Sequence, residues 1–170
     1  MKKYLSVLLT GLILSGCSSL TTEQKASIDN LTPCEKINGL LAAYDSRFEV
    51  LKRTRVNTKY AETWTAKYNL VGEACQISAL DADTVTYRCQ DNYQEQTQAV
   101  AIHQKAVDFT RACLAQNNWH EQQKESADSL RTTFVLDEKN PAISIHTGKT
   151  LSRSTPWSTS FEVGKSVANK

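Results

Sequence analysis

Apolar residues along this chain recur in two rhythms, one of three to four residues and one of two. Ile37, Leu40, Leu41, Tyr44, Phe48 and Leu51 fall at helical steps and form a single stripe that needs a partner surface. Thr32-Pro33-Cys34-Glu35 precedes them, with a capping Thr, a first-turn Pro and a Glu placed to satisfy the free amides of a helix start. The pattern predicts a helix from Pro33 to about Lys52. Lys52, Arg53, Arg55 and Lys59 then read as a solvated connection, with lipid headgroups or an acidic partner as the alternative contact. The period changes to two at Trp64, Ala66, Tyr68 and Leu70, which predicts a first strand. Cys75, Ile77 and Ala79, and again Val85, Tyr87 and Cys89, are odd-numbered apolar positions among polar neighbours. A hairpin turning through Asp81-Ala82-Asp83 pairs Cys75 with Cys89, Ile77 with Tyr87 and Ala79 with Val85 on one face. The two aspartates are better read as turn formers than as paired catalytic carboxylates.

Asn92-Tyr93-Gln94-Glu95 predicts a second helix start. Ala99, Val100, Ile102, Ala106, Val107, Phe109, Cys113 and Leu114 give that helix a broad apolar side ending near Asn117. The polar stretch from Asn118 to Ser129 leaves a short amphipathic helix and a loop both open. Thr132–Leu136, Ala142–Thr147 and Trp157–Val163 read as three more strands. The expected fold is therefore α+β: a two-layer sandwich with two main helices on one face of an antiparallel sheet of about six strands, in the order α-βββ-α-βββ. That order is similar to the helix–sheet sandwich of type III secretion chaperones, a likeness of fold without a shared motif that carries no function.

Upstream of this pattern, Lys2 and Lys3 lead into an apolar run from Leu5 to Leu14. That run is too short to span a bilayer, which takes about 20 apolar residues, and it suits an export signal. Leu14-Ser15-Gly16-Cys17 follows and resembles the lipobox of bacterial lipoprotein precursors. The resemblance implies cleavage after residue 16, diacylglyceryl and N-acyl groups such as palmitate on Cys17, and attachment to a membrane through those chains. It also implies outer-membrane sorting on the periplasmic face, because Ser18 rather than Asp follows the acylated Cys. The inner membrane is the alternative. The expected division is a signal peptide at 1–16, a lipidated Cys and flexible tether at 17–31, and a single disulfide-stabilised domain at 32–170.

Composition changes this picture little: 40% of residues are hydrophobic and 22% charged, ordinary values for a folding chain. The formal charge of +2 is accounted for by Lys2 and Lys3, so the segment after the signal is balanced. Balanced charge argues against nucleic acid as a partner. The scattered Gly39, Gly72, Gly148 and Gly164 offer no phosphate-cradling loop, which argues against nucleotides. In an oxidising compartment Cys34, Cys75, Cys89 and Cys113 read as a disulfide framework, since no Cys-x-x-Cys spacing suggests a metal or redox site. Cys113 lies in the last turn of the second helix, about 30 Å along its axis from the hairpin cysteines. A disulfide holds Cα atoms within about 7 Å, so Cys34 pairs with Cys113 and Cys75 with Cys89.

His103, His120 and His146 show no metal-binding spacing, and no serine motif of a hydrolase is present. His103 falls inside the apolar arc of the second helix and reads as a packed imidazole. No catalytic residue, metal ligand or cofactor is expected. The leading expectation is a non-catalytic binding or structural component of the bacterial cell envelope with a protein partner. A periplasmic immunity protein that neutralises a secreted toxin is one alternative, and a cell-envelope hydrolase is another.

Overall fold

The computed structural model describes residues 22–165, Asn57 and Ala82 excepted, so the expected signal peptide and Cys17 lie outside the described residues. Those residues form one eight-stranded antiparallel sheet with three helices, α1 (Thr22–Asp29), α2 (Pro33–Ala43) and α3 (Gln96–Leu114). The strands are β1 (Lys52–Val56), β2 (Glu62–Ala66), β3 (Ala74–Ala79), β4 (Val85–Tyr93), β5 (His120–Ser126), β6 (Ser129–Val135), β7 (Ala142–Lys149) and β8 (Trp157–Gly164). Their spatial order is β1-β2-β3-β4-β8-β7-β6-β5. Two four-strand meanders therefore meet where β4 pairs with β8. This overturns the expected two-layer sandwich of about six strands with two main helices, because strands account for most of the architecture.

The two additional strands are the edges. β1 replaces the expected basic connection, and β5 occupies the stretch left open between helix and loop. Every residue of β5 is exposed and β1 is mostly so. Neither has an apolar face, so neither carries the two-residue rhythm. Each is held by backbone pairing to one neighbour, as edge strands commonly are.

The central hairpin pairs Cys75 with Cys89, Ile77 with Tyr87 and Ala79 with Val85. All six residues are buried. Its turn is closed by Asp81, whose Oδ1 accepts from the amides of Asp83 at 2.8 Å and Thr84 at 2.6 Å.

Other boundaries shift for identifiable reasons. The capping box at Thr32 and Glu35 is formed, but α2 stops at Ala43 rather than near Lys52. Arg47 and Phe48 take left-handed backbone angles, and the Phe48 amide reaches back to the Ala43 carbonyl at 2.8 Å. Phe48 and Leu51 are still buried, so the helical stripe continued through a turn and a short 3-10 segment, Glu49–Leu51. Tyr68 and Leu70 lie beyond β2, which ends at Ala66. Asn92, expected as a helix cap, pairs with Ser158 inside β4, and α3 begins four residues later. Residues 22–29 of the expected flexible tether form α1.

The core lies between the sheet and α2 and α3, where Ile37, Leu40, Phe48, Tyr87, Ile145 and Phe161 are fully buried. Two disulfides brace it. Cys34–Cys113 joins the first turn of α2 to the last turn of α3 with Cα atoms 5.1 Å apart. Cys75–Cys89 crosses β3 and β4 with Cα atoms 4.0 Å apart. This is the pairing expected from the length of the second helix.

Candidate functional site

His103 is buried where α3 crosses the sheet, at 1% exposure. Its Nε2 lies 3.0 Å from Thr132 Oγ1 on β6, and its Nδ1 lies 3.2 Å from Thr147 Oγ1 on β7. Thr147 Oγ1 is 2.8 Å from Thr159 Oγ1 on β8, and the Thr159 hydroxyl donates to the Ala99 carbonyl at 2.8 Å. One proton arrangement satisfies the whole chain: Thr132 donates to Nε2, Nδ1–H donates to Thr147, Thr147 to Thr159, and Thr159 to the backbone. It uses the neutral ring, with Nε2 as the acceptor and Nδ1–H as the donor. Burial, with a smaller contribution from His146, lowers the pKa of His103 to about 4. The sequence located the ring in the apolar arc. It held no sign of three threonines from three later strands.

The sheet face away from α3 is polar. One cross-strand row runs Gln76, Arg88, Glu162, Ser144, Thr133 and Gln122 from β3 to β5. The next row places Gln90, Ser160, His146 and Arg131 side by side. Arg88 sits at the hub: its Nε is 3.1 Å from Glu162 Oε1, and its Nη2 donates to Gln90 Oε1 at 2.8 Å. Gln90 then donates to Asn92 Oδ1 at 3.1 Å. His146 is half-buried, with its pKa lowered first by burial and then by Arg131 and Arg88, against an opposing pull from Glu162. Ser160, at 1% exposure, has an Oγ without a hydrogen-bond partner among the described residues.

The three histidines are separated by the fold. His103 is on α3 and faces the sheet, His146 is on the other face of β7, and His120 is exposed at the start of β5. Among the described residues no three His, Cys, Asp or Glu side chains gather to hold a metal ion, and no helix is long and apolar enough to cross a membrane. All four cysteines between residues 34 and 113 are spent on disulfides. No family model, curated protein or solved structure matches the chain.

Proposed function

We propose that the protein is a lipid-anchored component of the bacterial envelope that binds a protein partner, without catalysis, through the polar face of its sheet. The anchor is supported by the Leu14-Ser15-Gly16-Cys17 motif behind a short apolar export segment. The observation that carries the binding surface is the row of polar residues across that face, with the unpartnered Ser160 hydroxyl in the adjacent row. Eight strands at about 4.8 Å spacing make a face about 34 Å wide, and with strands of five to nine residues it offers roughly 800 Å2, the usual contribution of one partner to a stable interface. Alternating charge and amide groups keep such a surface soluble while leaving hydrogen bonds to exchange with a complementary chain.

Site-specific photocrosslinking in cells tests the reading. A crosslinking residue at Gln90 or Ser144 should give one adduct of defined mass, and the same residue at the exposed Gln104 on α3 should give none. Adducts formed from α3 and not from the sheet face would overturn it.

A further inference from the structure

A cavity of about 480 Å3 opens between the end of α1, the first turns of α2, strand β1 and the β2–β3 loop. A second hollow of about 240 Å3 shares Lys36 and Asn69 with it and extends to Lys105 and Phe109 on α3. Lys36 is the common element, and its surroundings are unusual. The side chain is buried, at 8% exposure, and its Nζ donates to Asn69 Oδ1 at 2.9 Å. Among the described residues it has no carboxylate within ion-pair distance. An ammonium has three N–H donors, so two remain without a protein acceptor in a place where water is partly excluded.

The rim adds charge of the same sign. Arg53 and Lys67 border the larger cavity and Lys105 the smaller, against the carboxylates of Asp29 and Glu73. The hollow is therefore built for an oxyanion, which would accept from Lys36 and draw on Arg53. Its place in the chain narrows the source. Thr22 lies five steps along the chain from Cys17, at most about 18 Å when extended, and the eight residues of α1 add about 12 Å. Ile28 and Asp29, at the far end of α1, form part of the wall.

We propose that this groove binds the phosphate of an anionic lipid headgroup in the membrane to which Cys17 ties the chain. The proposal rests on the lipid-anchor reading for its source of ligand and on Lys36 for its chemistry. Headgroup capture would set the orientation of the domain, with α1 and β1 turned to the bilayer.

The test uses the full acylated chain in a neutral detergent, titrated calorimetrically with dihexanoyl phosphatidylglycerol. Dihexanoyl phosphatidylcholine and inorganic phosphate serve as comparison ligands. Phosphatidylglycerol should bind at least tenfold more tightly than either. Lys36→Met should weaken it at least tenfold, Arg53→Gln about threefold, and Lys124→Gln on β5 not at all. Because Lys36 is buried, Arg53→Gln on the exposed strand is the variant whose loss of binding must come with an unchanged melting temperature. Equal binding of the three ligands, or affinity unmoved by both groove variants, overturns the proposal. Inorganic phosphate binding as tightly as phosphatidylglycerol overturns the lipid as occupant. The short-chain ligand reaches the groove whether or not Cys17 is acylated, and palmitate labelling reads the anchor separately, so the two readings fail independently.

Discussion

His103 is buried between two neutral hydroxyls where desolvation disfavours the charged ring, and this makes it an acid-sensitive point in the core. Its pKa in the fold is about 4 against an ordinary value of 6.5, so the unfolded chain takes up the proton first. The stabilisation is complete above about pH 6.5, declines as pH falls toward 4, and is lost below that, with a total of up to about 3 kcal/mol. His146, also lowered, contributes in the same direction. Thermal melts between pH 7 and 4.5 should therefore show a falling midpoint, and His103→Gln should flatten most of that slope. An unchanged slope in the variant would assign the effect to His146. The carboxylates of Asp81 and Glu121, both held below their usual range by hydrogen bonds, lose their contribution only at lower pH. The helical rhythm was enough to bury the ring, since Ala99, Ala106 and Val107 flank it. Its partners were illegible because Thr132, Thr147 and Thr159 look like ordinary strand residues until β6, β7 and β8 lie side by side.

At the level of elements, legibility followed burial. The Cys75–Cys89 hairpin was readable to the residue because both of its strands alternate against the core. β1 and β5 were not, because a strand that packs no face leaves no periodic trace. The early end of α2 was also silent, since no glycine announces the left-handed turn at Arg47 and Phe48. The edges carry their own protection in charge: Arg53 and Arg55 on β1, Glu121, Lys124 and Glu125 on β5. Arg111 pins β5 to α3 by a two-pronged contact with Glu121, at 2.9 and 2.8 Å. Replacing Gln123 and Lys124 together by Val should leave the melting temperature within a degree or two while causing concentration-dependent association, seen by light scattering. A monodisperse double variant would show that charge is not what guards this edge. The disulfides separate similarly. In the loop-entropy model the bridge across 79 residues stabilises by about 4 kcal/mol and the one across 14 by about 3, before any native strain. Cys34→Ala with Cys113→Ala should lower the melting temperature further than Cys75→Ala with Cys89→Ala. The reverse order would mean that α2 stays docked on α3 through its apolar stripe alone.

At the scale of the whole molecule, the proposed anchor rests on sixteen N-terminal residues and Cys17, and the architecture was legible in the sequence only in its buried parts. The lipobox prediction is direct: Cys17→Ala should abolish labelling by palmitate, and equal incorporation by the variant would refute it. Ser18→Asp should move the protein from outer- to inner-membrane fractions in a host that sorts on this position, and an unchanged sucrose-gradient profile there would refute the sorting rule for this chain. The polar sheet face was half-legible. Its residues were visible as the polar members of each alternating strand, but the rows they form depend on β4 lying beside β8, a pairing between segments about seventy residues apart.

The bridge from Cys34 to Cys113 also decides how the molecule bears load. A pull applied between the N-terminal side of the chain and strands β5 to β8 runs along this covalent path. Tension entering through α1 meets the disulfide at Cys34 and passes covalently to Cys113, bypassing everything between. Strands β1 to β4 and nearly all of α3 lie within that bypassed loop. They cannot be peeled away one at a time from the anchored end. With the bridge intact, about 280 Å of chain contour, 79 residues at about 3.5 Å each, stays out of reach of the force. The first segments exposed to it are α1 before the bridge and the short run from Leu114 into β5 beyond it.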